Sequence, residues 1–189
     1  MNIVMAGDCE KHDFVLAAAV LLKSYHENKV SIITDDSRHY RYMGGEVSGV
    51  AILETSSTDN TDITIYDWHN GYPSGVDDAR VVFVTSYERA AIANIERLLS
   101  EKYLPSAMIV IEEECKLRMK YIETNFPMVK TLLSYDVSSE RKIDWIHDGR
   151  VQLKVAKDFS EALNIFLVEV CGIQQEHIKK LWRYARKRG

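Results

Sequence analysis

The first twenty-five residues constrain this chain most. Asn2-Ile3-Val4-Met5-Ala6-Gly7 is a short apolar run ending in glycine, and Phe14-Val15-Leu16-Ala17-Ala18-Ala19-Val20-Leu21-Leu22 is a helix-forming run. Between them lies a polar turn, Asp8-Cys9-Glu10-Lys11-His12-Asp13. A turn of this length after a buried strand is where backbone N–H groups can close round a phosphate. These six residues, however, include three acids and no glycine.

The remaining chain alternates strand and helix patterns. Lys29-Val30-Ser31-Ile32-Ile33-Thr34 reads as a second buried strand followed by Asp35-Asp36. Residues 37–60 are polar, with Gly44-Gly45 and Ser56-Ser57, and read as loops plus one short strand at Val50-Ala51-Ile52-Leu53. Asp62-Ile63-Thr64-Ile65-Tyr66-Asp67 and Arg80-Val81-Val82-Phe83-Val84-Thr85 are strands, and a helix is expected from Tyr87 to Tyr103. Ala107 to Ile111 is a strand, Glu112-Glu113-Glu114 an acidic helix start, Leu117 to Asn125 a helix, and Met128 to Leu133 a strand. Short helical sequence from Ile143 to Asp148 ends at Gly149; Phe159 to Val170 is a long helix, and a last helix begins at Gln174. Strands alternating with helices throughout predict an α/β fold with a mainly parallel sheet and helices on both faces.

The 189 residues suit one domain, read as 1–173 with a basic amphipathic helix at 174–189. Three widely spaced cysteines, Cys9, Cys115 and Cys171, have no metal-ligand spacing and fit reduced thiols in a cytoplasmic protein. No basic leader or membrane-spanning apolar run is present. A net charge of −4 does not advertise nucleic-acid binding, although the last dozen residues are strongly basic.

In order and spacing these elements resemble the MinD/ParA family of deviant-Walker P-loop ATPases, nearly end to end. That family opens with Gly-Lys-Gly-Gly-Val-Gly-Lys-Thr-Thr-Leu-Ala entering a helix, where this chain has Gly7-Asp8-Cys9-Glu10-Lys11-His12-Asp13-Phe14-Val15-Leu16-Ala17 without a gap. Asp62 to Trp68 is similar to the family's Walker B strand and ends in Asp67. Val81 to Glu88 resembles the following strand and helix start, and Phe126 to Val155 the late segment. The resemblance implies a P-loop NTPase-like, shortened α/β fold.

It also implies that the chemistry has been removed. Asp8 stands where the family has its signature Lys, Asp13 where it has the phosphate Lys, and Phe14 where a hydroxyl holds magnesium. Cys9, Glu10 and His12 replace glycines, so side chains would block close backbone approach and acids would repel a triphosphate. The expectation is a pseudo-ATPase without enzyme activity, cofactor or metal. It would serve as an adaptor for a membrane-associated or partition machine, such as pilus or secretion assembly, polar localisation or plasmid partition. Gly7, Asp8, Cys9, Glu10, His12 and Asp13 would then form a surface for a protein partner, a homodimer being one form of it.

The same residues allow other chemistry. Asp67 with Asp8 or Asp36 could form a carboxylate cluster for magnesium, against a remnant acid in a turn. The region Asp62 to Thr85 is also similar to the phosphoacceptor region of receiver domains, which would make Asp67 a phosphate-handling residue. Cys9 with His12 could be a nucleophile pair, against a plain surface thiol. His147 and His177 read as ordinary polar residues.

In the tail, Ile178, Leu181, Trp182 and Ala185 share one helical face, with Lys179, Lys180, Arg183, Arg186, Lys187 and Arg188 largely elsewhere. Apolar burial plus basic charge is what peripheral membrane binding requires, and the pattern resembles the membrane-targeting helix of MinD proteins. The expectations are an anionic membrane surface at the inner face of the membrane, packing of the apolar face on the domain, and, ranked third, DNA phosphates.

Overall fold

The computed structural model of the chain describes residues 1–25, 27–53 and 61–188, apart from the side chain of Arg188. Ser56-Ser57 of the expected loop lie outside the described residues. Eight strands form one sheet: β1 Asn2–Ala6, β2 Val30–Thr34, β3 Glu46–Val47, β4 Val50–Leu53, β5 Ile63–Trp68, β6 Ala79–Thr85, β7 Ala107–Glu112 and β8 Leu132–Asp136. Their order is β3-β4-β2-β5-β1-β6-β7-β8, and every pair is parallel except β3 with β4. The predicted α/β class with a mainly parallel sheet is therefore what the chain forms.

Successive residues of a strand point to opposite faces, and β1 shows the consequence. Ile3 and Met5 enter one core, Val4 and Ala6 the other. The first core is covered by α1 (His12–Ser24), α4 (Trp145–Asp148), α5 (Lys157–Ile165) and α6 (Gln175–Arg188). The second is covered by α2 (Arg89–Ser100) and α3 (Met119–Asn125). Helix α1 is buried from His12 to Leu22, which suits a run that is apolar all round.

Several boundaries differ from expectation. The segment read as Met128 to Leu133 is displaced, with strand β8 running from Leu132 to Asp136. Val129 is apolar because it packs on the second core in the turn after α3, its N–H reaching Phe126 O. Glu112-Glu113-Glu114 starts no helix; Glu112 ends β7 and α3 begins only at Met119. The short strand at Val50–Leu53 gains a partner, β3, through a Ser48-Gly49 turn with φ of 47° and 74°. Two positive φ angles are what a tight hairpin with matching twist requires.

The last helix is part of the domain. Ile178, Leu181, Trp182 and Ala185 are all buried in the first core, where α6 packs on α1. Trp182 Nε1 donates to Asn164 Oδ1 at 2.6 Å, which satisfies the indole N–H in that core.

Candidate functional site

Ligands of parallel α/β sheets bind beyond the C-terminal ends of the strands, where neighbouring connections diverge. Here that place is the end of β1, flanked by β5 on one side and β6 on the other. A small crevice of about 260 Å³ opens there among Asp8, Cys9, His69, Ser86 and Lys142. Gly7 directly precedes Asp8 at the end of β1. A Cβ at Gly7 would lie 1.8 Å from the carbonyl oxygen of Val84, so β6 itself excludes any side chain at this position.

The turn after Gly7 is filled by the chain's own charges. Lys11 is 1% exposed and folds back, donating to Gly7 O at 2.8 Å and lying 2.9 Å from Asp67 Oδ1. Pairing of β1 with β5 sets Asp67 beside Met5, one residue from the end of β1, and buries it completely. Tyr40 donates its hydroxyl to the other oxygen, Asp67 Oδ2, at 2.6 Å. Burial works against the Asp67 carboxylate, but Lys11, His69 and Tyr40 outweigh it and hold its pKa below the ordinary value. Burial and that same carboxylate push the Tyr40 phenol well above its usual range, which keeps it a donor.

A second ion pair closes the start of α1. Asp13 is fully buried in the first helical turn, where a negative charge meets the helix dipole favourably. Its Oδ1 accepts the Phe14 N–H at 2.8 Å and the Tyr135 hydroxyl at 3.2 Å, and its Oδ2 accepts Arg141 Nε at 3.0 Å. Arg141 comes from a π-helical turn, Glu140–Asp144, after β8. Its guanidinium also donates to Asp136 O and lies 3.9 Å from the centre of the Phe159 ring, which buries the cation against an aromatic face.

On the outer side, His12 stacks on His39 with ring centres 3.9 Å apart and planes 13° apart. Lys142 pairs with Glu10 at 2.9 Å, and that contact lowers the Glu10 pKa. Burial lowers the pKa of both histidines, that of His39 to about 4. Charge on His12 and on Arg38 also opposes charge on His39, while Glu10, Asp13, Asp36 and Asp67 favour the charged forms. Neutral stacked rings stabilise the fold fully above the unfolded-state value of 6.5, and that contribution falls as pH drops from 6.5 toward 4. The expected loss across that window is about 1 to 2 kcal/mol, discounted for the residual solvent exposure of the rings. Urea unfolding at pH 7 and pH 5 of the wild type and His39→Phe measures it, and an equal pH slope in both proteins would refute it.

The residues singled out from the sequence are thus distributed unevenly. Asp67, Gly7 and the loop come together, whereas Asp8 is exposed and Asp36 is bonded to Arg38. Among the described residues no three His, Cys, Asp or Glu side chains converge as a metal site. Cys9 is half-buried rather than a surface thiol, its pKa pushed up to about 12 chiefly by burial, while the His12 ring is stacked on His39. Lys179, Lys180, Arg183, Arg186 and Lys187 are exposed on α6, but Leu181 and Trp182 lie in the core. The side chain of Arg188 falls outside the described residues. No described helix is long and apolar enough to cross a membrane.

Tyr40, Tyr135, Arg141 and the inward turn of Lys11 were not read from the sequence. One signal was available, since a buried acid at the head of a fully apolar helix requires a counter-charge. No protein-family model matches the chain, and no curated relative matches it in sequence.

Proposed function

We propose that this chain is a non-catalytic, MinD/ParA-like pseudo-ATPase that acts as an adaptor or scaffold. One observation carries the reading: the turn after β1 holds its own anion and cation. The Asp13 carboxylate sits in the first turn of α1, where a phosphate would need to approach, and Arg141 neutralises it. Lys11 is turned onto Asp67, the acid at the Walker B-like position, and away from solvent. A triphosphate would meet a filled loop lacking a free lysine and bordered by Asp8 and Glu10.

Both oxygens of Asp67 are engaged, by Lys11 and by Tyr40, and the side chain has no exposed surface. This argues against a receiver-like or metal-dependent phosphate role for Asp67. What remains for function is surface: the exposed loop residues and the basic face of α6, suited to protein partners at the inner face of a membrane or in a partition machine.

Calorimetric titration with magnesium-ATP and magnesium-ADP to millimolar nucleotide tests the proposal. No binding heat is expected, and the thermal midpoint should not move, because a ligand that binds only the folded state would raise it. Saturable binding by either nucleotide would overturn the reading.

A further inference from the structure

Helix α6 presents a basic stripe interrupted by one acid, Glu176, in its first turn. Lys179, Lys180, Arg183 and Lys187 are exposed and have no ion-pair partner among the described residues. At about 100° per residue they fall within one sector of roughly 100°, and they extend about 12 Å along the axis. The stripe cannot swing away, because Leu181 and Trp182 anchor the opposite face in the core.

The complementary charge lies at the C-terminal rim of the sheet. Asp8, Glu88, Glu113 and Glu114 follow the ends of β1, β6 and β7, and Asp136 is the last residue of β8; these four strands are consecutive in the sheet. All five are exposed, and none has an ion-pair partner among the described residues. Four adjacent strand ends span about 14 Å, close to the length of the stripe.

We infer that the basic stripe of α6 docks on the acidic sheet rim of a second copy of this chain. The balance of charge selects that occupant over a polyanion. The net charge of −4 includes +5 from Gln175–Arg188, where six Lys and Arg stand against Glu176, so the remainder carries −9. A nucleic acid or anionic bilayer would attract the stripe but, unlike a second copy, offers no positive patch to the acidic rim. A bilayer would also gain no apolar insertion from residues already buried. After one contact the first copy keeps a free rim and the second a free stripe, so a repeated heterologous contact builds rings or open chains.

Sedimentation velocity of the full chain, at low and at half-molar salt, gives the first readout. The wild type should associate with rising concentration, and salt should weaken association about tenfold or more. Arg183→Glu with Lys187→Glu should leave the chain monomeric, as should Glu88→Lys with Glu113→Lys. Mixing the two charge-reversed proteins should restore a complex, which neither forms alone. A wild type that stays monomeric at every concentration in low salt would overturn the inference. So would association indifferent to both reversals, or a monomer whose tail instead binds phosphatidylglycerol vesicles or duplex DNA.

Discussion

Arg141→Ala is expected to destabilise the fold by about 3 to 5 kcal/mol, the usual consequence of removing one partner from a buried ion pair. The loss arises from what is left behind. Asp13 is fully buried at the head of α1, and without Arg141 its charge retains only the Phe14 N–H and the Tyr135 hydroxyl. The guanidinium also fills space over Phe159, so truncation removes packing as well as charge. Replacing both partners, with Asp13→Leu and Arg141→Met, should recover most of the loss, since apolar side chains of similar volume need no counter-charge. Urea unfolding of the three proteins decides the matter. A loss below about 1 kcal/mol for Arg141→Ala would mean that solvent reaches Asp13.

Lys11→Ala should be comparably costly, about 3 to 5 kcal/mol at neutral pH, and should carry a distinct pH dependence. In the wild type the Asp67 pKa lies below its unfolded value, so its contribution is present above that value and lost on acidification. Without Lys11, only His69 and Tyr40 oppose the burial, and the folded pKa is expected to rise above the unfolded one. The variant then takes up a proton on folding, and its deficit is largest near pH 7 and narrows toward pH 5. Stability of both proteins at these two pH values checks this, and a deficit that widens on acidification would contradict it. Because the histidine stack is common to both, its pH response cancels in the comparison.

Much of the scaffold was legible because buried parallel strands and their helices write themselves as local runs. Ile32-Ile33, Val81 to Val84 and Met108 to Ile111 needed only their neighbours to be read. Strand β8 was misplaced because Val129 is apolar for a reason unrelated to pairing, its packing in the turn that closes α3. The site was less legible. The loop's departure from a phosphate-binding turn was visible, but not what replaced the phosphate. Tyr40 is 27 residues from Asp67 and Arg141 is 128 residues from Asp13, and periodicity carries no information over such separations. The tail pattern was correct as amphipathicity, yet an apolar face reads the same whether it meets a bilayer or helix α1.

The pairing of Asp13 with Arg141 also sets an order of events during synthesis. The chain emerges N-terminus first, and the acid at the head of α1 precedes its counter-charge by 128 positions. Strands β1, β2, β5, β6 and β7 are all made before Arg141 exists, so an early collapse would trap an uncompensated carboxylate. The central layer therefore gains its final form only after β8 and the π-helical turn have left the ribosome. A nascent chain truncated before residue 141 should remain open to proteases at the β1–α1 junction, and one extended beyond Phe159 should not.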